Sequence, residues 1–212
     1  MGIVSNYIWE RAADGGVSPV SLVLQQVKVR GREIDLFCVC TDREGAMGSY
    51  MTERLVEWFH KTCLPVCEKR RLPPLPSLLD PELDCISREL SGGQAGLREG
   101  QPEYAGLLLA GSRFYLFGQG AVGVQLVNYR YNRPQLKALS VPLTGRMQRG
   151  VGLLLHTPEL TEGLAPEEVC QILHGSGDWQ EQRIGRRLRE LYQEGRSRGA
   201  GEAVGGIYLQ VV

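Results

Sequence analysis

Leu153-Leu154-Leu155-His156-Thr157-Pro158-Glu159-Leu160-Thr161-Glu162 decides how this chain is read. Three leucines make an apolar strand, and Pro158 turns the chain out of it. Two acids, Glu159 and Glu162, follow the turn. A second proline at Pro166, followed by Glu167 and Glu168, signals the start of a helix.

The rest of the chain alternates between strand and helix patterns. Pro19 to Val29 is β-branched and partly alternating, and predicts a strand. Arg30-Gly31-Arg32 is a turn, and Glu33 to Cys40 is a second strand, antiparallel to the first. Ser49 to Thr62 predicts a helix with Met51, Leu55, Trp58 or Phe59, and Thr62 on its apolar face. The proline-rich stretch from Leu64 to Leu79 reads as a connection. Asp80-Pro81-Glu82 then reads as the start of a helix running to about Leu90. Tyr104–Ala110, Arg113–Phe117, Val122–Asn128, Gln135–Ser140 and Val151–Leu155 are short apolar runs, each a strand. Asn132-Arg133-Pro134 marks a turn. Helices are expected over Pro166–Leu173 and from about Asp178, a capping residue, to Glu194. Trp179, Ile184, Leu188 and Leu191 form the apolar stripe of the second of these. Gly205 to Val212 is a closing strand.

This order does not suit a parallel βαβ fold. It predicts an α+β protein: a four-layer α-β-β-α sandwich of two antiparallel sheets flanked by helices. A length of 212 residues suits a single domain, 1–212.

Composition excludes several functions. Lys+Arg and Asp+Glu balance at 24 each, which gives no basic surplus for nucleic acid. No apolar run approaches the roughly 20 residues that span a bilayer. Met1-Gly2-Ile3-Val4-Ser5-Asn6 lacks the basic start and long apolar core of a signal peptide. The six cysteines, at 38, 40, 63, 67, 85 and 170, lack zinc-ligand spacing. Cys38 and Cys40 alternate along a strand and face one side. Reduced structural thiols and a cytoplasmic location are expected.

Four patches carry a resemblance. They are Leu36-Phe37-Cys38-Val39-Cys40-Thr41-Asp42-Arg43-Glu44-Gly45, Phe117-Gly118-Gln119-Gly120-Ala121, the Pro158-Glu159 turn, and Gly201-Glu202-Ala203-Val204-Gly205-Gly206-Ile207-Tyr208. In order along the chain they resemble the metal-dependent protein phosphatases, the PPM or type 2C serine/threonine family. The resemblance implies the same four-layer sandwich. It places Asp42 on a metal-binding Asp and Glu202 on another. Arg43 stands where the family has a glycine whose carbonyl joins the site. Gln119 and Ala121 stand where the family has Asp and Arg. Pro158-Glu159 stands where the family has Asp-Gly, so Glu159 falls one position from a lost ligand. No convincing match exists for the N-terminal arginine that holds substrate phosphate; Arg11 is the nearest basic residue.

Two metal ions roughly 4 Å apart need several anionic ligands. Asp42 and Glu202, with Glu159 nearby, are too few to make a binuclear centre an easy expectation. Arg43 either bridges Asp42 and Glu202 in place of a cation or points into solvent. The resemblance therefore implies a degenerate homologue: a pseudophosphatase with no expected cofactor, binding a protein partner such as a phosphoprotein or kinase in signalling. The alternative is a divergent Mg²⁺- or Mn²⁺-dependent serine/threonine phosphatase using Asp42, Glu202 and Glu159. The short, Gly- and Leu-rich chain is bacterial in style.

Other residues are open to two readings. His156 is either a general acid beside the altered turn or a strand-end histidine with a local hydrogen bond. The arginines from Arg183 to Arg198 make either an acidic-partner face or an ion-paired, solvated helix. Tyr129-Arg130-Tyr131 is a partner-binding knob or an ordinary hairpin flank.

Overall fold

A computed structural model describes residues 3–9, 18–42, 46–69, 72–92, 101–128, 135–148, 150–174, 181–199, 201 and 203–211. Its strands are β1 (Ile3–Trp9), β2 (Val20–Val29), β3 (Arg32–Thr41), β4 (Glu103–Ala110), β5 (Arg113–Gln119), β6 (Gly123–Asn128), β7 (Gln135–Ala138), β8 (Leu143–Arg146), β9 (Val151–His156) and β10 (Gly205–Val211). Its helices are α1 (Ala46–Trp58), α2 (Leu64–Cys67), α3 (Leu75–Ser91), α4 (Pro166–His174) and α5 (Glu181–Ser197). A π-helical turn over Phe59–Cys63 joins α1 to α2, and a 3₁₀ turn over Pro158–Thr161 follows β9.

The strands form two five-stranded antiparallel sheets, β1-β10-β9-β6-β7 and β2-β3-β4-β5-β8. Strand alternation builds three apolar layers from them. Phe37 and Val39 point between the sheets with Leu107, Leu116, Leu155, Ile207 and Leu209. Leu36, Cys38 and Cys40 point the other way, under α1 and α3, with Met51, Leu55, Phe59 and Leu79. On the far side Leu154 and Tyr208 meet Leu173, Ile184, Leu188 and Leu191 of α4 and α5. This is the expected α-β-β-α sandwich. Central strands buried on both faces read as nearly continuous apolar runs, and β3 does so from Ile34 to Cys40.

Five elements differ from the sequence reading. Leu64 to Leu79 is not simply a connection, because it holds α2 and the first turn of α3. Helix α3 begins at Leu75 rather than Asp80, and Pro81 lies inside it. Pro76 sits in the first turn, where a missing N–H is not needed. The interior Pro81 costs about 3 kcal/mol. Burial of Leu75, Leu79, Ile86 and Leu90 offsets it, at about 1.5–3 kcal/mol per side chain. The helix after Ser49 starts earlier, at Ala46, and ends in a π turn. Strands β1 and β8 also form, although their sequences gave no clear signal: β1 pairs with the far end of the chain (Ile3 opposite Val211), and β8 pairs with β5 (Leu143 opposite Leu116). The Asn132 turn, Tyr129–Tyr131, Asp178 and Trp179 lie outside the described residues.

The six cysteines are free, and Cys38 and Cys40 share the helix-facing side. No described helix is long and apolar enough to cross a membrane.

Candidate functional site

One end of the sandwich gathers the patches singled out by sequence. Strand β3 ends at Thr41, opposite Val20, and the Asp42 N–H donates to the Pro19 carbonyl at 3.0 Å. The Asp42 carboxylate, 8% exposed, accepts the amide hydrogen of Gly48 in the first turn of α1. A carboxylate at that position satisfies an amide that the helix leaves unpaired. A Cβ on Gly48 would stand 3.0 Å from Asp42 Oδ2 and 3.5 Å from Ser21 Oγ, so the glycine lets α1 close over the end of β3.

The same end holds the opposite sheet. The Thr157 N–H donates to the Gly205 carbonyl at 2.9 Å, and the Gly205 N–H donates to Thr157 Oγ1 at 3.1 Å. A Cβ on Gly205 would come within 2.4 Å of Val20 Cγ1. Glycine here allows β10 to press against the start of β2. Asp42, Pro19, Val20, Gly205 and Thr157 thus form a continuous run across the two sheets. Glu159 lies two residues beyond Thr157, and its Cγ is 3.2 Å from where a Gly201 Cβ would stand. One of its carboxylate oxygens, Oε2, is buried without a hydrogen-bond partner. Glu162 accepts the Gly201 N–H at 3.4 Å, and Arg196 donates to the Gly201 carbonyl at 3.2 Å.

The second patch reaches this end too. Cys40 pairs with Tyr104, and Tyr104 with Gln119, so Gln119 sits near the Asp42 end of its sheet. Its amide donates to Gln101 Oε1 at 2.5 Å. Glu103, which the sequence reading did not single out, is an acid at the same end, opposite Thr41. Its carboxylate is engaged by the Ala121 N–H at 3.0 Å.

His156 is buried and has the local hydrogen bond. Its Nδ1 donates to the Thr157 carbonyl at 2.8 Å, which fixes Nε2 as an unprotonated acceptor. Nε2 is buried without a partner, and burial lowers the histidine pKa. A Cβ on Gly123 would lie 2.9 Å from it. The histidine is a neutral, packed side chain at the strand end. Arg186 pairs with Glu190, and Arg198 pairs with Glu168 and Glu194, so those two arginines of the late helix are ion-paired.

The structure therefore brings Asp42 and Glu159 to one end of the sandwich. Arg43 and Glu202 lie outside the described residues, as does Arg11. Among the described residues no three His, Cys, Asp or Glu side chains converge as a metal site. Asp42 and Glu159 alone do not supply the donor set of a two-metal centre.

The sequence matches no protein-family model and no curated protein. Solved structures do match. An S. agalactiae serine/threonine phosphatase superposes with a TM-score of 0.71 at 9% identity, over 100% of this chain and 99% of that one. The serine/threonine phosphatase Stp1 from Staphylococcus aureus gives 0.74 at 10% identity, over 100% and 96%. Mycobacterium tuberculosis PstP/Ppp gives 0.70 at 11%, over 99% and 98%. The chain has the PP2C phosphatase fold. At these identities the likeness is one of fold, and it covers the PP2C domains almost end to end. Each of the four patches follows or precedes a strand that ends on this side of the sandwich. A PstP catalytic domain with the same fold, at 14% identity and a TM-score of 0.65, is in complex with two manganese ions.

Proposed function

We propose that this chain is a degenerate PPM-type homologue, a pseudophosphatase of one domain that binds a protein partner, a phosphoprotein or kinase being the class expected, rather than hydrolysing phosphate. One observation carries the reading. Asp42, the acid kept at a motif position among the described residues, spends a carboxylate oxygen on the Gly48 amide. The other described motif positions carry Gln119, Ala121 and the Pro158-Glu159 pair in place of the family's residues. Pro158 stands where the family has its aspartate and fixes the turn, and Glu159 follows one position later. A cytoplasmic location fits this reading.

A specific observation favours the alternative, a divergent Mg²⁺- or Mn²⁺-dependent serine/threonine phosphatase. The buried Glu159 Oε2 lacks a hydrogen-bond partner, and a cation would satisfy it. Asp42, Glu159 and Glu202 would then be the residues to hold that ion.

Calorimetric titration of Mn²⁺ into the protein, beside Asp42→Ala and Glu159→Gln, separates the two. The expected result is no saturable binding up to millimolar Mn²⁺. Micromolar binding that either substitution abolishes would overturn the pseudophosphatase reading and direct work to phosphopeptide hydrolysis. Asp42→Ala should also cost about 1 kcal/mol of stability through the freed Gly48 amide, as read from urea unfolding.

A further inference from the structure

A groove of about 380 Å³ runs beside the Asp42 end, lined by Tyr7, Trp9, Val20–Leu22, Leu24, Ser49, Thr52 and Glu53. Its floor is β2, the edge strand of its sheet, paired among the described residues with β3 alone. An edge strand leaves alternate backbone N–H and C=O groups without a ladder partner, and an extended chain can add to it. One wall is aromatic. Tyr7 and Trp9 share a face of β1 with Ser5, whose hydroxyl donates to Gln26 of β2 at 3.0 Å, so they face the β2 edge. Their rings lie 5.5 Å apart, and they remain 46% and 39% exposed. The opposite wall is the first turns of α1, with Ser49, Thr52 and the exposed Glu53. Glu53 makes no ion pair among the described residues. Ser21 links the groove to the candidate site, because its hydroxyl and the Asp42 carboxylate both border Gly48.

The geometry points to a peptide-docking site: an extended segment of a partner adds along β2 and lays a lysine or arginine side chain between the Tyr7–Trp9 rings and Glu53. This deepens the partner-binding reading above and rests on it. The edge backbone accounts for an extended partner. The facing aromatic pair and carboxylate account for a cation, since ring faces and an anion both attract it. A second copy docking through the same patch about a two-fold axis would bring two Glu53 carboxylates together, which disfavours self-association there.

The test uses the whole chain and fluorescein-labelled peptides about nine residues long, built of serine, valine and glycine. The peptides carry a central arginine, alanine or glutamate, each with and without a neighbouring phosphoserine. Fluorescence anisotropy is measured against the native protein, Trp9→Ala, Glu53→Gln, Glu53→Lys and Asp42→Ala. Trp9 and Glu53 are exposed, so these substitutions leave the core intact, and circular dichroism checks this. The arginine peptide should bind best, with Trp9→Ala and Glu53→Gln each weakening it about tenfold and Glu53→Lys abolishing it. Equal binding of the three unphosphorylated peptides, no binding at all, or indifference to both Trp9→Ala and Glu53→Lys would overturn the proposal. So would sedimentation showing a native dimer that Trp9→Ala dissociates. Phosphoserine and Asp42→Ala report on the other reading. Phosphorylation that adds no affinity, with the Trp9 and Glu53 effects intact, would remove the phosphoprotein reading and leave the groove standing.

Discussion

Gly106→Ala should destabilise the protein by about 3 kcal/mol, at the upper end of the cost of overpacking a core. Gly106 lies in β4, between Cys38 of β3 and Phe117 of β5. The Phe117 ring occupies the space of the absent side chain: a Cβ at Gly106 would stand 2.1 Å from Cζ, 2.5 Å from Cε2 and 2.7 Å from Cε1. The ring cannot swing aside freely. Phe117 is fully buried under the α1–α3 layer, and the rings of Tyr104 and Tyr115 lie 6.3 and 6.1 Å from it. Alanine restricts the unfolded chain more than glycine does, a gain of under about 1 kcal/mol, so the clash dominates. Urea unfolding of Gly106→Ala, Phe117→Leu and the double variant checks the cause as well as the size. The smaller leucine should recover at least about 1 kcal/mol relative to additivity. A Gly106→Ala protein within about 0.5 kcal/mol of native stability would mean that the ring relocates without strain.

Asp35→Asn should stabilise the protein at alkaline pH by an amount on the order of 2–4 kcal/mol, and by nothing at pH near 4. Asp35 is 3% exposed on the inter-sheet side of β3, opposite Gln26 and Leu109. Burial, helped by the neighbouring Glu33 charge, raises its pKa to about 7. In the unfolded chain the same carboxyl ionises in the ordinary range near 4. Between these values the unfolded state holds fewer protons than the folded state, so stability falls as pH rises. The loss begins as pH passes the unfolded value and is complete above about 7. Asparagine has nearly the same shape and carries no charge, so the variant should lack this slope. Thermal or urea unfolding at several pH values from 4 to 8 reads it. Parallel profiles for native and Asp35→Asn proteins would show that the carboxylate ionises in the fold at no cost.

Two candidate positions, Asp42 and Glu159, could be placed from sequence because they follow strand ends, and strands with two buried faces announce themselves as apolar runs. Leu153–Leu155 and Leu36–Cys40 marked the strands that deliver Glu159 and Asp42. The groove was not legible. Tyr7, Trp9, Ser21 and Glu53 come from separate elements, and none has a local pattern that signals its neighbours. Their meeting depends on β1 and β2 both being sheet edges, a fact of strand order.

By itself, the sequence determined the local events: period-two and helical apolar stripes, the acid and glycine positions beside strand ends, and the absence of a bilayer-spanning run. Those depend on residues within a few positions of one another. Tertiary structure alone decided that Ile3–Trp9 is a strand, because its partner lies some two hundred residues away at Val211. It likewise decided that Pro81 is tolerated inside α3 and that Leu143–Arg146 pairs with β5. In each case the stabilising contacts are long-range burial and cross-strand pairing, which override local propensity and leave no trace in neighbouring residues.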